Sequence, residues 1–403
     1  MTLCQRWPGA LFAVMMVLAG TSRVASAQQI EGRFYPEKQN YLVGEPIFVV
    51  LDLVNEGSEP VYIAVSCTWL DTHFEAPTVA TPKPEVGLFG CGVGGWAGSC
   101  ASSETQILPG AHYRRRYLLD GSFQFDSPGA YPIRAQHKVD IYSDGNGYQV
   151  IATQEVVSNF EVTLIQGSGD ELAAAYVPLL REMKSSDDLT RSLAVSAIVQ
   201  KPPPFLEDNI LALADDPQTA AASVEGLEHL GTLRAKAKLA ELCGPGQPEC
   251  IRQMAVTTLG EMGDPAYCSL MLNIAKESHQ YSRFIALRAA GYLCGENVLP
   301  LASEFLSNAD ASPRFEAAYA LGNSRSRAAV ALLIPLLLDR DPNVRRAASD
   351  ALASLTHRKS KFETGDKSAG MQSYLAWTNW WASHRLNAVI YSIEDCAGST
   401  PLQ

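Results

Sequence analysis

The sequence predicts a multidomain chain of two unlike parts, an antiparallel β-sandwich followed by an α-helical solenoid. Three observations carry this reading. From Gln28 to about Gln166, apolar residues alternate in short runs broken by Gly, Pro and Asn turns, the period-2 pattern of half-buried strands. From Glu171 to Thr356 the apolar spacing becomes that of helices. Within this second part Arg252, Arg283, Arg314 and Arg345 fall 31 residues apart, each opening a similar stretch. A fixed period near ~30 residues marks a repeat whose helical pairs bury their apolar faces only on one another.

The chain begins with Arg6, then the apolar run "ALFAVMMVLAG" and the small-x-small site Ala25-Ser26-Ala27. That run is far shorter than the ~20 residues a membrane helix needs, and the pattern is that of a secretory signal peptide over residues 1–27. No later stretch is long and apolar enough to cross a bilayer, so a soluble, exported protein, periplasmic or secreted, is expected, without membrane insertion. Removing residues 1–27 deletes Arg6 and Arg23 and no acid, so 30 basic against 43 acidic residues leave a net charge of −13. Such a balance argues against a nucleic-acid partner, whose phosphates attract the opposite sign. Eight cysteines remain (67, 91, 100, 243, 250, 268, 294 and 396), and an even number in an oxidising compartment points to disulfides.

The strands of the first part are read in order. "IEGRFYP" leads into "YLVGEPIFVVLDLVNEGSEPVYIAV", where Ile47, Val49, Leu51 and Leu53 alternate with their neighbours and Asn55-Glu56-Gly57 makes a turn. "HYRRRYLL", "SPGAYPIRAQHKVDIY", the turn "SDGNG" and "YQVIATQEVVSNFEVTLI" follow. Short strands at this spacing indicate an antiparallel sandwich over residues 28–166. The segments "YLVGEPIFVVLDLVN" and "FDSPGAYPIRA" resemble bacterial immunoglobulin-like domains, which implies a fold and no chemistry.

Residues 167–170 read as a short linker. Beyond it lie "IRQMAVTTLGEMGD", "SRFIALRAAGYLCG", "PRFEAAYALGNS" and "VRRAASDALASL", each preceded by an apolar partner helix, with small residues at the helix crossings. The unit Ala329–Leu355, "AVALLIPLLLDRDPNVRRAASDALASL", resembles a HEAT repeat. Asp341 is placed to cap its second helix and Pro342 to occupy the first turn. About six helix pairs are expected over residues 171–356. A polar loop (357–369), a capping helix (370–387) and a tail (388–403) complete the chain. On the capping helix Tyr374, Trp377, Trp381 and His384 fall on one side, an apolar stripe suited to closing the open end of a solenoid.

Chemistry has few footholds. Gly90, Gly92 and Gly95 in "GLFGCGVGGWAGSC" match G-x-G-x-x-G, but the dinucleotide fingerprint needs a helix after the turn and an acid ~20 residues on. Strands flank this stretch, so it reads as a loop between Cys91 and Cys100, with Trp96 as its one large recognition candidate. Glu225-x-x-Glu228-His229 only approaches a zinc-protease helix. No catalytic residue, cofactor or metal site is expected. Candidate disulfides are Cys91–Cys100, Cys243–Cys250 and, across helices of adjacent repeats, Cys268–Cys294; Cys67 and Cys396 are left unassigned.

The resemblance to HEAT repeats implies that each ladder arginine meets an acid six positions before it. Those positions hold Asp339, Asn308, Glu277 and Gly246. On that assignment the stacked arginines tie neighbouring repeats together, a structural use, while Arg252 lacks an acid and is open to a partner; with Trp96, Arg283, Arg314 and Arg345 it makes the candidate binding surface. The resemblance also implies that the second helix of each pair lines a concave face. The expected function is a non-catalytic protein-interaction scaffold or adaptor with a protein partner. The competing expectations are a lyase-like role, since repeats of this length resemble those of phycobilin lyases, and carbohydrate binding through the sandwich by Trp96 or Trp69.

Overall fold

In the computed structural model, residues 30–64, 72–76, 104–119, 123, 125–142, 149–277, 281–359, 367–391 and 400–401 are described. The described residues before Pro202 form one compact unit and those from Pro202 onward another.

The first unit opens with nine strands: β1 (Ile30–Pro36), β2 (Asn40–Leu42), β3 (Phe48–Asn55), β4 (Val61–Ala64), β5 (Thr72–Glu75), β6 (Glu104–Ile107), β7 (His112–Leu118), β8 (Gly129–Tyr142) and β9 (Val150–Ile165). They form a three-stranded sheet in the order β1-β3-β7 and a larger sheet in the order β2-β9-β8-β4-β6. The long strand β8 pairs along its length with β9, while β4 and β5 share its other edge. Period-2 alternation delivers one apolar core from both sheets: Val49, Leu51 and Leu53 from β3, with Ile133, Val139, Val156 and Val162 from β8 and β9. At Gly32 a Cβ would stand 2.5 Å from Val156 and 2.7 Å from Leu53, so this close approach admits no side chain.

The turn read at Asn55-Glu56-Gly57 is present. The Asn55 side chain accepts from the Gly57 amide (2.9 Å) and donates to the carbonyls of Glu59 (2.7 Å) and Ile107 (2.9 Å). A fully buried amide is stable there because its donors and acceptor are satisfied.

The stretch read as a linker is a helix start. Ser168 and Glu171 form a capping box at the head of α1 (Gly169–Glu182), which satisfies two amides that would otherwise lack partners. α2 (Asp188–Val199) follows, capped by Asp187. Both helices belong to the first unit: the Tyr176 hydroxyl donates to the Gly44 carbonyl (2.8 Å), and Arg116 pairs with Glu182 (3.0 Å).

The second unit is a run of helical pairs: α3 (Glu207–Asp215) with α4 (Ala220–Leu230), α5 (Leu233–Leu242) with α6 (Glu249–Glu261), α7 (Cys268–Ala275) with α8 (Ser282–Cys294), α9 (Leu299–Leu306) with α10 (Ala311–Asn323), and α11 (Arg327–Leu333) with α12 (Pro342–Thr356). Asp341 caps α12, accepting from the amides of Asn343 (2.8 Å) and Val344 (3.4 Å), with Pro342 in the first turn. α13 (Lys367–His384) lies against the turn Ile334–Leu338 and buries Trp377 completely.

Two cysteine pairings differ from the sequence reading. Cys268 and Cys294 are bonded, but they join the two helices of one hairpin, α7 and α8, rather than adjacent repeats. Cys243 and Cys250 are not bonded to each other. Cys243 ends α5 inside the core as a free thiol, whereas Cys250, in the first turn of α6, is in a disulfide whose partner lies outside the described residues. Cys67, Cys91, Cys100 and Cys396, and with them the glycine-rich loop and Trp96, also lie outside the described residues.

Candidate interaction surface of the helical repeats

The second helices touch one another in an unbroken row, α6 to α8 to α10 to α12, while the first helices barely meet. Small residues make this possible. A Cβ on Gly260 would stand 2.6 Å from the Ala289 Cβ, one on Gly291 2.5 Å from the Ala320 carbonyl oxygen, and one on Gly322 2.7 Å from the Ala351 Cβ. Both sides of this seam repeat every 31 residues, at Gly260, Gly291 and Gly322 and at Ala289, Ala320 and Ala351. The second helices therefore form one closely packed row.

The arginine ladder lies on this row of helices. Arg252 is fully buried: its Nε donates to the Cys243 carbonyl (2.7 Å), and its two terminal nitrogens meet the Glu277 carboxylate at 2.7 and 2.8 Å. Arg314 repeats the arrangement. Nε and Nη2 bind Asp339 at 2.8 and 2.7 Å, and Nη1 donates to the carbonyls of Asn308, Ala309 and Asp310. Arg345 donates to the Asp339 carbonyl (2.9 Å).

Arg314 and Arg345 thus use the main chain six positions back and Arg252 the Cys243 carbonyl nine back, while Arg252 and Arg314 take their carboxylates from 25 positions ahead, in the next repeat. This corrects the sequence assignment. Arg252 is not open to a partner, and Arg314 and Arg345 are also buried, because guanidinium groups in a core need carbonyls and carboxylates around them. At Arg283 the position 25 ahead is Asn308, and the guanidinium lies over the rings of Phe284 (5.3 Å) and Phe305 (4.8 Å). At Arg345 the corresponding position is Gly370 of α13, where a Cβ would stand 2.8 Å from the Leu337 carbonyl oxygen and 3.5 Å from Arg345 Cδ. The capping helix therefore occupies the place of a further repeat.

Beside the ladder and the seam, the second helices carry two further rows of residues. Five positions after the ladder arginines stand Thr257, Arg288, Tyr319 and Asp350; nine positions after stand Glu261, Tyr292, Asn323 and Ser354. The most structured part is on α8 and α10. Arg288 is half-exposed and grips the buried Glu316 through Nε (2.9 Å) and Nη2 (2.7 and 2.9 Å), while its guanidinium lies 5.1 Å from the Tyr319 ring centroid. Burial raises the Glu316 carboxyl above its ordinary range, against the opposing pull of Arg288. Tyr292 is 40% exposed; at the corresponding position of the next repeat, the Asn323 side-chain amide is buried and its Nδ2 has no hydrogen-bond partner among the described residues. Toward α4, burial and the like charge of Glu228 raise the Glu261 carboxyl.

Sequence reasoning missed these residues because they do not recur. At the capping helix it set Tyr374, Trp377, Trp381 and His384 on one core-closing side; of these Trp377 is buried, Tyr374 and Trp381 are half-buried and His384 is exposed, and it overlooked Trp380, whose ring packs edge-on to Trp377 (5.5 Å), stacks on His384 (5.2 Å) and lies under Arg358 (5.2 Å). Among the described residues no group of three or more His, Cys, Asp or Glu is arranged to hold a metal ion, and no helix is long and apolar enough to cross a membrane.

Residues 298–361 match the family model of HEAT repeats. The match spans α9 to α12, and the helical pairs from α3 to α8 precede it in the same alternation, consistent with HEAT-type repeats. Among solved structures, the complex of CpcE and CpcF of phycocyanin lyase from Nostoc sp. PCC7120 is similar at 19% identity, over 47% of this chain and 77% of that one, with a TM-score of 0.33. Human deoxyhypusine hydroxylase in complex with glycerol is similar at 16% identity, over 54% of this chain and 92% of that one, with a TM-score of 0.20. Escherichia coli alpha-2-macroglobulin is similar at 12% identity over 92% of this chain but only 33% of its own length, with a TM-score of 0.18. A search of the curated proteins returns no match.

Proposed function

We propose that this chain is an exported, non-catalytic scaffold whose HEAT-type solenoid recognises a protein partner, with an immunoglobulin-like sandwich as its N-terminal module. The signal-like residues 1–27 and the cysteine count support export. One observation carries the recognition reading. The polar and glycine positions that recur with the 31-residue period, the arginine ladder and the glycine–alanine seam, are spent on packing within the solenoid. The rows five and nine positions after the ladder arginines change at every repeat, from Thr to Arg to Tyr to Asp and from Glu to Tyr to Asn to Ser. A repeated frame under an unrepeated surface is what recognition of one shaped, non-repetitive partner requires.

The test is capture from an envelope extract with the mature chain (Gln28 onward), read by mass spectrometry, beside a Tyr292→Ala/Tyr319→Ala variant and an α9 control, Glu304→Ala. One protein held at fixed ratio by the parent and the control but released by the double variant is the expected result. Capture indifferent to all three chains overturns the placement on this face. A purified protein that carries visible absorption of a bound chromophore overturns the scaffold reading in favour of a lyase-like one.

A further inference from the structure

Repeat geometry sets Arg288, Tyr319, Tyr292 and Asn323 at the corners of one patch. Arg288 and Tyr319 share a level on neighbouring helices, as their contact at 5.1 Å shows. Tyr292 and Asn323 stand four residues further along the same helices, about 6 Å higher. The two hydrogen-bond donors therefore occupy one diagonal and the two tyrosines the other.

The charge of the patch is cancelled. Glu316 neutralises Arg288 and fixes its plane, using Nε and Nη2 and leaving Nη1 outside the pair. Asn323 brings a buried Nδ2 with no partner among the described residues, a donor whose cost in the unbound protein an incoming acceptor removes. A patch with donors and no net charge fits neutral carbonyl oxygens, not a carboxylate or phosphate. With neighbouring helix axes ~8–10 Å apart, the donor diagonal is about 10 Å. In a polyproline II segment carbonyls three residues apart point the same way and lie about 9 Å apart. Aromatic walls on either side of such a segment are the usual means of holding it.

We propose that the face formed by α8 and α10 binds a proline-rich segment of the partner in polyproline II conformation, with carbonyls three residues apart on Arg288 and Asn323 and the rings of Tyr292 and Tyr319 flanking it. Tyr292, the exposed ring level with Asn323, moves aside to admit the carbonyl. This rests on the recognition reading above and deepens it.

The experiment is fluorescence anisotropy of labelled nonaproline titrated with the full mature chain, with a Gly-Ser nonapeptide, tetraglutamate and maltohexaose as competitors. Nonaproline binding that none of the three displaces is expected, weakened about tenfold by Tyr292→Ala and by Asn323→Leu and unchanged by Glu304→Ala. Tyr292 is exposed, so its variant tests the site without endangering the fold; thermal unfolding checks the Asn323 variant. Failure of nonaproline to bind, binding indifferent to both variants, or displacement by tetraglutamate or maltohexaose overturns the proposal. If envelope capture through Tyr292 and Tyr319 persists while nonaproline fails, only this proposal falls; if both fail, the recognition reading falls with it.

Discussion

Glu277 stands six positions before Arg283 yet gives its carboxylate to Arg252, 25 positions behind it, at 2.7 and 2.8 Å. The two partners are unequal: Arg252 is wholly buried, whereas the Glu277 side chain is 36% exposed. Removing the acid leaves a buried charge with only carbonyl support, while removing the arginine leaves a carboxylate that water can reach. Glu277→Ala is therefore expected to cost about 3–5 kcal/mol, and Arg252→Met about half as much. Urea unfolding of both single variants and the double checks this. The expected mark is that Glu277→Ala adds less than about 1 kcal/mol on top of Arg252→Met; simple additivity would mean that the pair is not coupled.

The seam offers a second test, because its three glycines meet different obstacles. An added methyl at Gly260 strikes the Ala289 Cβ, whereas at Gly291 it strikes the Ala320 main chain, with oxygen at 2.5 Å and Cα at 2.9 Å. Overpacking of this kind costs about 1–3 kcal/mol. Gly260→Ala should be largely rescued by Ala289→Gly, which removes the methyl it meets. Gly291→Ala should not be rescued by Ala320→Gly, since the obstructing carbonyl remains. Melting temperatures of the four variants and two doubles decide the point.

These two ladders show what the sequence can and cannot disclose. The period, the Asp341 cap with Pro342, the Asn55 turn and the core position of Trp377 follow from local patterns that have one physical solution. The arginine partner does not. Six positions back and 25 ahead add to the 31-residue period, so every acid that precedes one arginine by six also follows the previous one by 25. One-dimensional spacing cannot separate those assignments; only the stacking of repeats does. The short interval between Cys243 and Cys250 misled for a related reason, since α5 carries the first inward beneath Arg252. The row of Arg288, Tyr292, Tyr319 and Asn323 leaves no periodic trace at all, so no spacing argument singles it out.

Acid should separate the two carboxylates that pair across repeats. For Asp339, burial works to raise the carboxyl, but the hydrogen bonds from Arg314 and from the Asp341 amide outweigh it, and it is held below its ordinary range. A folded pKa below the unfolded one stabilises above roughly pH 4 and loses that contribution as pH falls through the folded value. Glu316 has the opposite sign. Its folded pKa is raised, so its contribution is complete only below roughly pH 4.3 and is lost as pH rises through the folded value. Asp339→Asn should therefore destabilise at pH 7 by about 3 kcal/mol, leaving the buried Arg314 without the carboxylate that binds it, and should flatten the acid limb. Glu316→Gln should be near neutral at pH 7, since Arg288 is half-exposed and can be rehydrated. Melting temperature followed from pH 3 to pH 8 for both variants and the parent reads the two signs directly; identical profiles would contradict them.

Cysteine chemistry supplies the last expectation. The Cys243 thiol is fully buried, and burial pushes its pKa up to about 12. A thiol so placed presents almost no thiolate at pH 8 and no surface to a reagent. In the native chain Cys243 should resist iodoacetamide at pH 8 and react once urea opens the solenoid. The Cys268–Cys294 bond closes an interval of 26 residues between α7 and α8, a constraint on the unfolded chain worth about 3 kcal/mol in the chain-entropy account. Replacing both by serine should lower stability by that order and should not alter nonaproline binding, because Cys294 lies at the end of α8 beyond Tyr292. Peptide mapping of the labelled sites, with urea unfolding of the double serine variant, checks both statements. Rapid native labelling of Cys243 would show that the junction between α5 and α6 opens far more readily than its buried ion pair allows.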